Sequence, residues 1–280
     1  MRHLLERIFP QGVFAASPFV RIDFGGFEVG LLESTRFFLA EVERASGRPV
    51  VVQEDSSLQT LTTCQTARGT APMHLLRYRP IPNRPPDYLI CYQCGFLIRL
   101  FENEPGHRFS LALDPEGSKQ IDEWLAEGQV PSHLRQAKDF LLSGLLTQLR
   151  SIPIGLRIDD LIWTRHEELR EQQVASARLQ LAENAGALKP AIRQMFPRKM
   201  LQANTAMNAA FAQFWAEKTG DPTLRLPYQS VGAEADGQGL MNLFAAMDPG
   251  SSEDWKLVDA WADRLGLSGW YKWIPHELEP

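Results

Sequence analysis

The feature that most limits how this chain can fold is the segment DYLICYQCGFLIRLFE at 87–102. It follows the proline-rich turn IPNRPP, opens on Asp87, a favourable residue for a helix N-terminus, and stays apolar for most of three turns. A helix with so little polar surface is a mostly buried one.

The flanking segments show what can cover it. Residues 31–46 place Leu32, Thr35, Phe38, Leu39 and Val42 at helical spacing, and Gly47 and Pro49 close the element. The β-branched run PVVVQE at 49–54 reads as a strand, and HLLRYRP at 74–80 as a second, ended by Pro80. Further helices are expected from a Ser132 cap, over 157–173 after a break at Pro153 and Gly155, and over 200–218. GAEADGQG at 232–239 and DPGSSED at 248–254 read as surface loops, and no internal repeat is present. The C-terminal stretch holds Trp255, Trp261, Trp270 and Trp273, four of the seven tryptophans, and is expected to dock on the body as a helix and tail. The expected fold is α+β: a short sheet packed by several helices in one main body, with a mainly helical C-terminal half, 186–280, ending in the Trp-rich tail.

A net charge of −5 argues against a globally basic nucleic-acid binder. The N-terminal segment is broken by Glu6, Arg7 and Pro10 and lacks the apolar region of an export signal. No run reaches the roughly 18 to 20 apolar residues needed to cross a bilayer. Three cysteines, Cys64, Cys91 and Cys94, suit a reducing compartment better than a disulfide framework. These features place the protein in the cytoplasm, without a membrane partner.

The order helix, strand, edge strand, apolar helix over about 31–102 resembles the core of the zincin metallopeptidases, in particular small gluzincin-like proteins, and the resemblance implies a zincin-like core over 31–185. The likeness is sharpest at LICYQCGFLIRLF. Against the zincin pattern H-E-x-G-H, Tyr92 falls on the first histidine, Gln93 on the glutamate, Gly95 on the glycine and Phe96 on the second histidine. Two imidazoles at i and i+4 point from one helix face and can share a zinc ion. Phe96 has no donor atom, the Tyr92 phenol stays protonated near neutral pH, and the Gln93 amide cannot act as a general base. The resemblance places the acidic third ligand at Asp159 or Asp160 in IPIGLRIDDLIW. It therefore implies a pseudo-peptidase without metal or cofactor, its pocket refilled by Tyr92 stacked on Phe96, with Gln93 bonded to the Tyr hydroxyl or to Asp159. Such a protein works by interaction. A protein or peptide partner would add along the 74–80 edge strand, beside a vestigial cleft lined by His74, Tyr92, Gln93, Phe96 and Asp159, and a small ligand is also open.

Other chemistry stays open on the residues themselves. Cys91-x-x-Cys94 is half a zinc site, with His74 and His107 as the nearest further donors, or a pair of buried inert thiols. An enzyme of another chemistry would use Cys94, His74 or Asp159. Arg77, Arg79, Arg84, Arg99 and Arg108 make 74–108 locally basic, which suits phosphate or nucleic acid, or ordinary pairing on a solvated face. The run RHEELREQQ at 165–173 reads as a solvated helix face.

Overall fold

A computed structural model describes residues 22–23, 30–115, 117, 119, 122–123, 138–190 and 197–278. The Ser132 cap lies outside these residues.

The described chain is α+β. Strand β1 (Ile22–Asp23) precedes helix α1 (Glu33–Ser46), which ends at Gly47 in the left-handed conformation (φ 71°), its N–H returning to the Glu43 carbonyl at 2.8 Å. Then come β2 (Val50–Glu54), β3 (Thr62–Gln65), β4 (His74–Tyr78) and α2 (Asp87–Phe101). β2 and β4 pair in parallel, Val50 opposite His74 and Glu54 opposite Tyr78, while β3 runs antiparallel to β4. The sheet order is β1-β2-β4-β3, so the expected 74–80 edge strand is interior. The edge belongs to β3, which inserts between the two apolar strands in sequence and covers the far side of β4.

As its composition demands, α2 is covered on several sides, touching α1, β3, β4 and the two helices that follow. Its Asp87 is 1% exposed and caps α1 instead of its own helix: Oδ1 accepts from the Leu32 amide at 2.8 Å and the Thr35 hydroxyl at 2.6 Å. Leu32 at the N-cap of α1 has no side-chain acceptor, so the carboxylate supplies it from across the interface.

After β5 (Phe109–Leu113), helix α3 (Lys138–Arg165) runs straight through Pro153 and Gly155, where a break was expected. A proline inside a helix forfeits one hydrogen bond and crowds the preceding turn; burial of the flanking Ile152, Ile154 and Leu156 offsets that cost. Helices α4 (Arg170–Ala185) and α5 (Arg198–Thr219) follow, then the single turn α6 (Leu226–Gln229) and α7 (Glu234–Ala246). The expected loop at 232–239 is thus mostly the first turns of α7. Its Gly237 is a contact position: a Cβ there would lie 2.8 Å from that of Ala209 and 2.9 Å from the Ala210 amide. Residues 248–254 keep a loop with a short 3-10 turn. Helix α8 (Asp254–Leu265) and β6 (Tyr271–Pro275) follow, β6 pairing antiparallel with β5, and a 3-10 turn spans His276–Leu278.

Trp261 and Trp270 are buried and Trp273 is partly so, while Trp255 remains 40% exposed. Asp259 locks the tail to α8, its Oδ1 accepting from the Tyr271 hydroxyl at 2.6 Å and the Trp273 indole at 2.8 Å. One apolar core runs from Leu31 to Trp270. No helix among the described residues is long and apolar enough to cross a membrane.

Candidate functional site

Residues 88, 92 and 96 recur every fourth position on α2 and so share a face. The Tyr88 and Tyr92 ring centres lie 5.8 Å apart, and Tyr92 meets Phe96 edge to face at 5.3 Å and 82°. Such pairs add about 0.5–1.5 kcal/mol beyond the area they bury. Tyr92 and Phe96, expected to stack, meet edge to face instead. The ladder faces α3 at close range because both helices carry glycine at the crossing. A Cβ on Gly155 would collide with the Tyr92 hydroxyl, and one on Gly95 would lie 2.6 Å from Ile158.

The acidic partner from α3 is Asp159, 1% exposed; Asp160 points away and pairs with Lys218 of α5. Asp159 does not bond Tyr92 or Gln93. Its Oδ1 accepts from the Tyr88 hydroxyl at 2.8 Å and from Nε2 of Gln173 at 3.1 Å. Burial pushes its carboxyl up to about 7, against the pull of those two donors. Burial also raises the Tyr88 and Tyr92 phenols well above the ordinary range, reinforced by the nearby Asp159 carboxyl, so both remain protonated donors.

Gln93 turns the other way and donates to the Thr62 hydroxyl on β3, tying the helix to the sheet edge rather than to the aromatic ladder. The reason is helical geometry: a residue one position after Tyr92 projects about 100° around the axis. His74 is separated from the rest. Its ring meets Phe101 edge-on with centres 5.3 Å apart, two and a half turns beyond Tyr92, its Nδ1 accepts from the Ala67 amide at 3.1 Å, and its Nε2 meets the Ser46 hydroxyl at 3.0 Å. Burial, helped by the charge of Arg48, lowers His74 to about 4 and keeps it neutral. The five residues expected in one cleft therefore divide into a filled aromatic seam with Asp159 beside it, a strand-edge contact at Gln93, and a structural histidine under the sheet.

Gln172 and Gln173 are the site residues that sequence reasoning missed. The 165–173 run is not wholly a solvated face: Leu169, Gln172 and Gln173 are buried, and Gln172 Oε1 accepts from the Tyr88 amide at 2.9 Å. Two adjacent uncharged amides closing a charged run were the available signal.

The thiols belong to no metal-holding group among the described residues. Cys91 and Cys94 are fully buried and burial raises both well above the ordinary thiol range, while Cys64 is pushed up to about 12. Among the described residues no three His, Cys, Asp or Glu side chains gather where they could hold a metal. The arginines of 77–108 are engaged: Arg77 with Asp55, Arg79 with Glu183, Arg84 with Glu171 and Arg99 with Asp254, while Arg108 donates to the Asn103 and Phe101 carbonyls. No family model matches the chain, and neither the curated proteins nor the solved structures yield a match.

Proposed function

We propose that this is a non-catalytic, zincin-like protein that works by holding a protein or peptide partner. The observation that carries the reading is the Tyr92–Phe96 ring pair. It occupies the i, i+4 face on which two imidazoles would converge in a metallopeptidase, and the Tyr92 hydroxyl is pressed against Gly155 of the helix that would bring the third ligand. Ring packing, and the bonds that Asp159 accepts from Tyr88 and Gln173, take up the volume that a charged centre would need.

The place for an extended peptide is β3 rather than 74–80. The Arg79 amide donates to the Leu61 carbonyl at 2.8 Å, so odd-numbered residues face β4 and the backbone groups of Thr62 and Cys64 face outward. A peptide added there would run beside Gln93, whose amide already rests on Thr62. The thiol content suits a reducing, cytoplasmic setting.

Support for an enzyme built on Cys94, His74 and Asp159 is weaker, because no hydrogen bond joins the three among the described residues, His74 and Asp159 are bonded elsewhere and Cys94 is fully buried. Elemental analysis of purified, tag-free protein grown with zinc, together with hydrolysis of a mixed peptide library, tests the proposal. Metal-free protein without hydrolysis is expected, with retention of extended peptides that Cys64→Pro abolishes. Stoichiometric zinc, or hydrolysis lost in Gln93→Ala, would overturn it.

A further inference from the structure

A groove of about 380 Å³ opens at the C-terminal end of α2, between β5, α3 and the start of α8. Four aromatic side chains line it: Phe96, Phe109, Trp255 and Trp273. Three of these rings are held in place. Phe96 stands edge-on to Tyr92, Trp273 is fixed by the bond from its indole N–H to Asp259, and Phe109 packs against Trp273 with ring centres 6.5 Å apart. Trp255, 40% exposed, is the wall with room to adjust.

The charges on this groove are unevenly committed. Arg99 spends its guanidinium on Asp254 and the Pro249 carbonyl, and Arg150 also has a partner. Asp254 is shared between Arg99 and Arg157, so this cluster carries no excess of negative charge. The rim carboxylates Glu102 and Glu104 are exposed and form none of these ion pairs; Glu102 is also near the Arg44 guanidinium, and the exposed His107 shares the rim, which leaves Glu104 the carboxylate with no such neighbour among the groups named. Aromatic faces attract cations through their quadrupole, and neighbouring carboxylates add to that attraction. Trp255 already holds one ammonium, that of Lys256, 5.6 Å from its ring centre.

We propose that this groove binds a small alkylated ammonium ion, its methyl groups against the indoles and its charge toward Glu102 and Glu104. The site is separate from the β3 edge and does not depend on the pseudo-peptidase reading; only Phe96 belongs to both regions. An apolar anion is disfavoured by the two rim carboxylates. A purely apolar ligand would gain from the rings and nothing from the rim.

Tryptophan fluorescence of the full chain at pH 8 and constant ionic strength tests this, with choline as the charged probe and 3,3-dimethylbutanol as its uncharged isostere. A saturable change is expected with choline, with a Kd on the order of 1 mM, and binding of the alcohol about tenfold weaker or less. Trp255→Ala should weaken choline binding about tenfold, and Glu104→Gln should weaken it about threefold. Circular dichroism checks that both variants keep the fold, and because Glu104 is an exposed loop residue its variant tests the charge preference even if Trp255→Ala unfolds. Equal binding of choline and the alcohol, tighter binding of benzoate, or no saturable response into the tens of millimolar would overturn the proposal.

Discussion

The Tyr88 hydroxyl donates to Oδ1 of Asp159 at 2.8 Å, joining α2 to α3 through two side chains that are both nearly inaccessible. The bond is placed where a carboxylate is expensive and a carboxylic acid is not, which gives the protein a titration of its own.

An aspartate in an unfolded chain titrates near 3.9, whereas burial raises Asp159 to about 7. Between those values the folded protein binds the additional proton. The contribution of Asp159 is therefore largest below the lower value and is lost as pH rises through about 7. Urea unfolding at pH 5 and pH 8 should show Asp159→Asn gaining on the wild type by on the order of a few kcal/mol over that interval. A pH-independent difference between the two proteins would refute the assignment.

His74 works in the opposite sense. It is neutral in the fold with a value lowered to about 4, while the unfolded residue takes up its proton near 6.5. Its contribution is complete above the unfolded value and disappears as pH falls from about 6.5 to about 4. His74→Gln leaves Asp159 unopposed, so the variant's stability should rise as pH falls from about 6.5 to about 4, with its profile above pH 7 unmoved. Because Asp159 and His74 oppose each other below pH 6.5, the wild-type curve there is shallow, and the single variants separate them.

Gly155→Ala forces a methyl group into the Tyr92 hydroxyl and should cost about 1–3 kcal/mol, the usual range for overpacking a core. Tyr92→Phe removes the hydroxyl, so the double variant should recover part of the loss. Chemical denaturation of the four proteins gives the coupling energy; strict additivity would mean that the two residues do not compete for the same space.

Asp254 holds Arg99 through two bonds of 2.7 and 2.8 Å and Arg157 through one of 2.8 Å, with the Arg157 side chain 2% exposed. Asp254→Ala leaves a buried guanidinium short of its counter-ion and should cost about 3–5 kcal/mol, reduced to the extent that the Gly250 and Asp248 carbonyls still serve Arg157. The loss should appear in thermal unfolding and as faster amide exchange at the start of α8. A change under about 0.5 kcal/mol, typical of exposed ion pairs, would contradict the buried geometry.

Elements with a strong apolar period were legible from the chain: α1 by its five core positions, β2 by its valines, and α2 by its lack of a polar face. β3 was not, because TTCQ is short and polar and acquires a strand's geometry only by pairing with β4. Pro153, Gly155 and Gly237 were taken for punctuation when two of them are contact points between helices, a role that depends on the partner helix and leaves no local trace. At the site, i, i+4 spacing was enough to pair Tyr92 with Phe96. Gln93 was expected to reach the Tyr hydroxyl or Asp159, but it projects about 100° around α2 from that face and bonds Thr62, while Tyr88 reaches the carboxyl.

The pairing of β5 with β6 has a consequence for how the protein is made. Ser110 and His276, which meet across that ladder at 3.0 Å, are 166 residues apart. At the usual rate of synthesis the first of these strands leaves the ribosome on the order of ten seconds before its partner exists. Through that interval Phe109–Leu113 is an apolar strand with an open edge, the element most prone to the wrong neighbour. The nascent chain is therefore most vulnerable before the Trp-rich tail emerges, and the arrival of β6 ends the exposure.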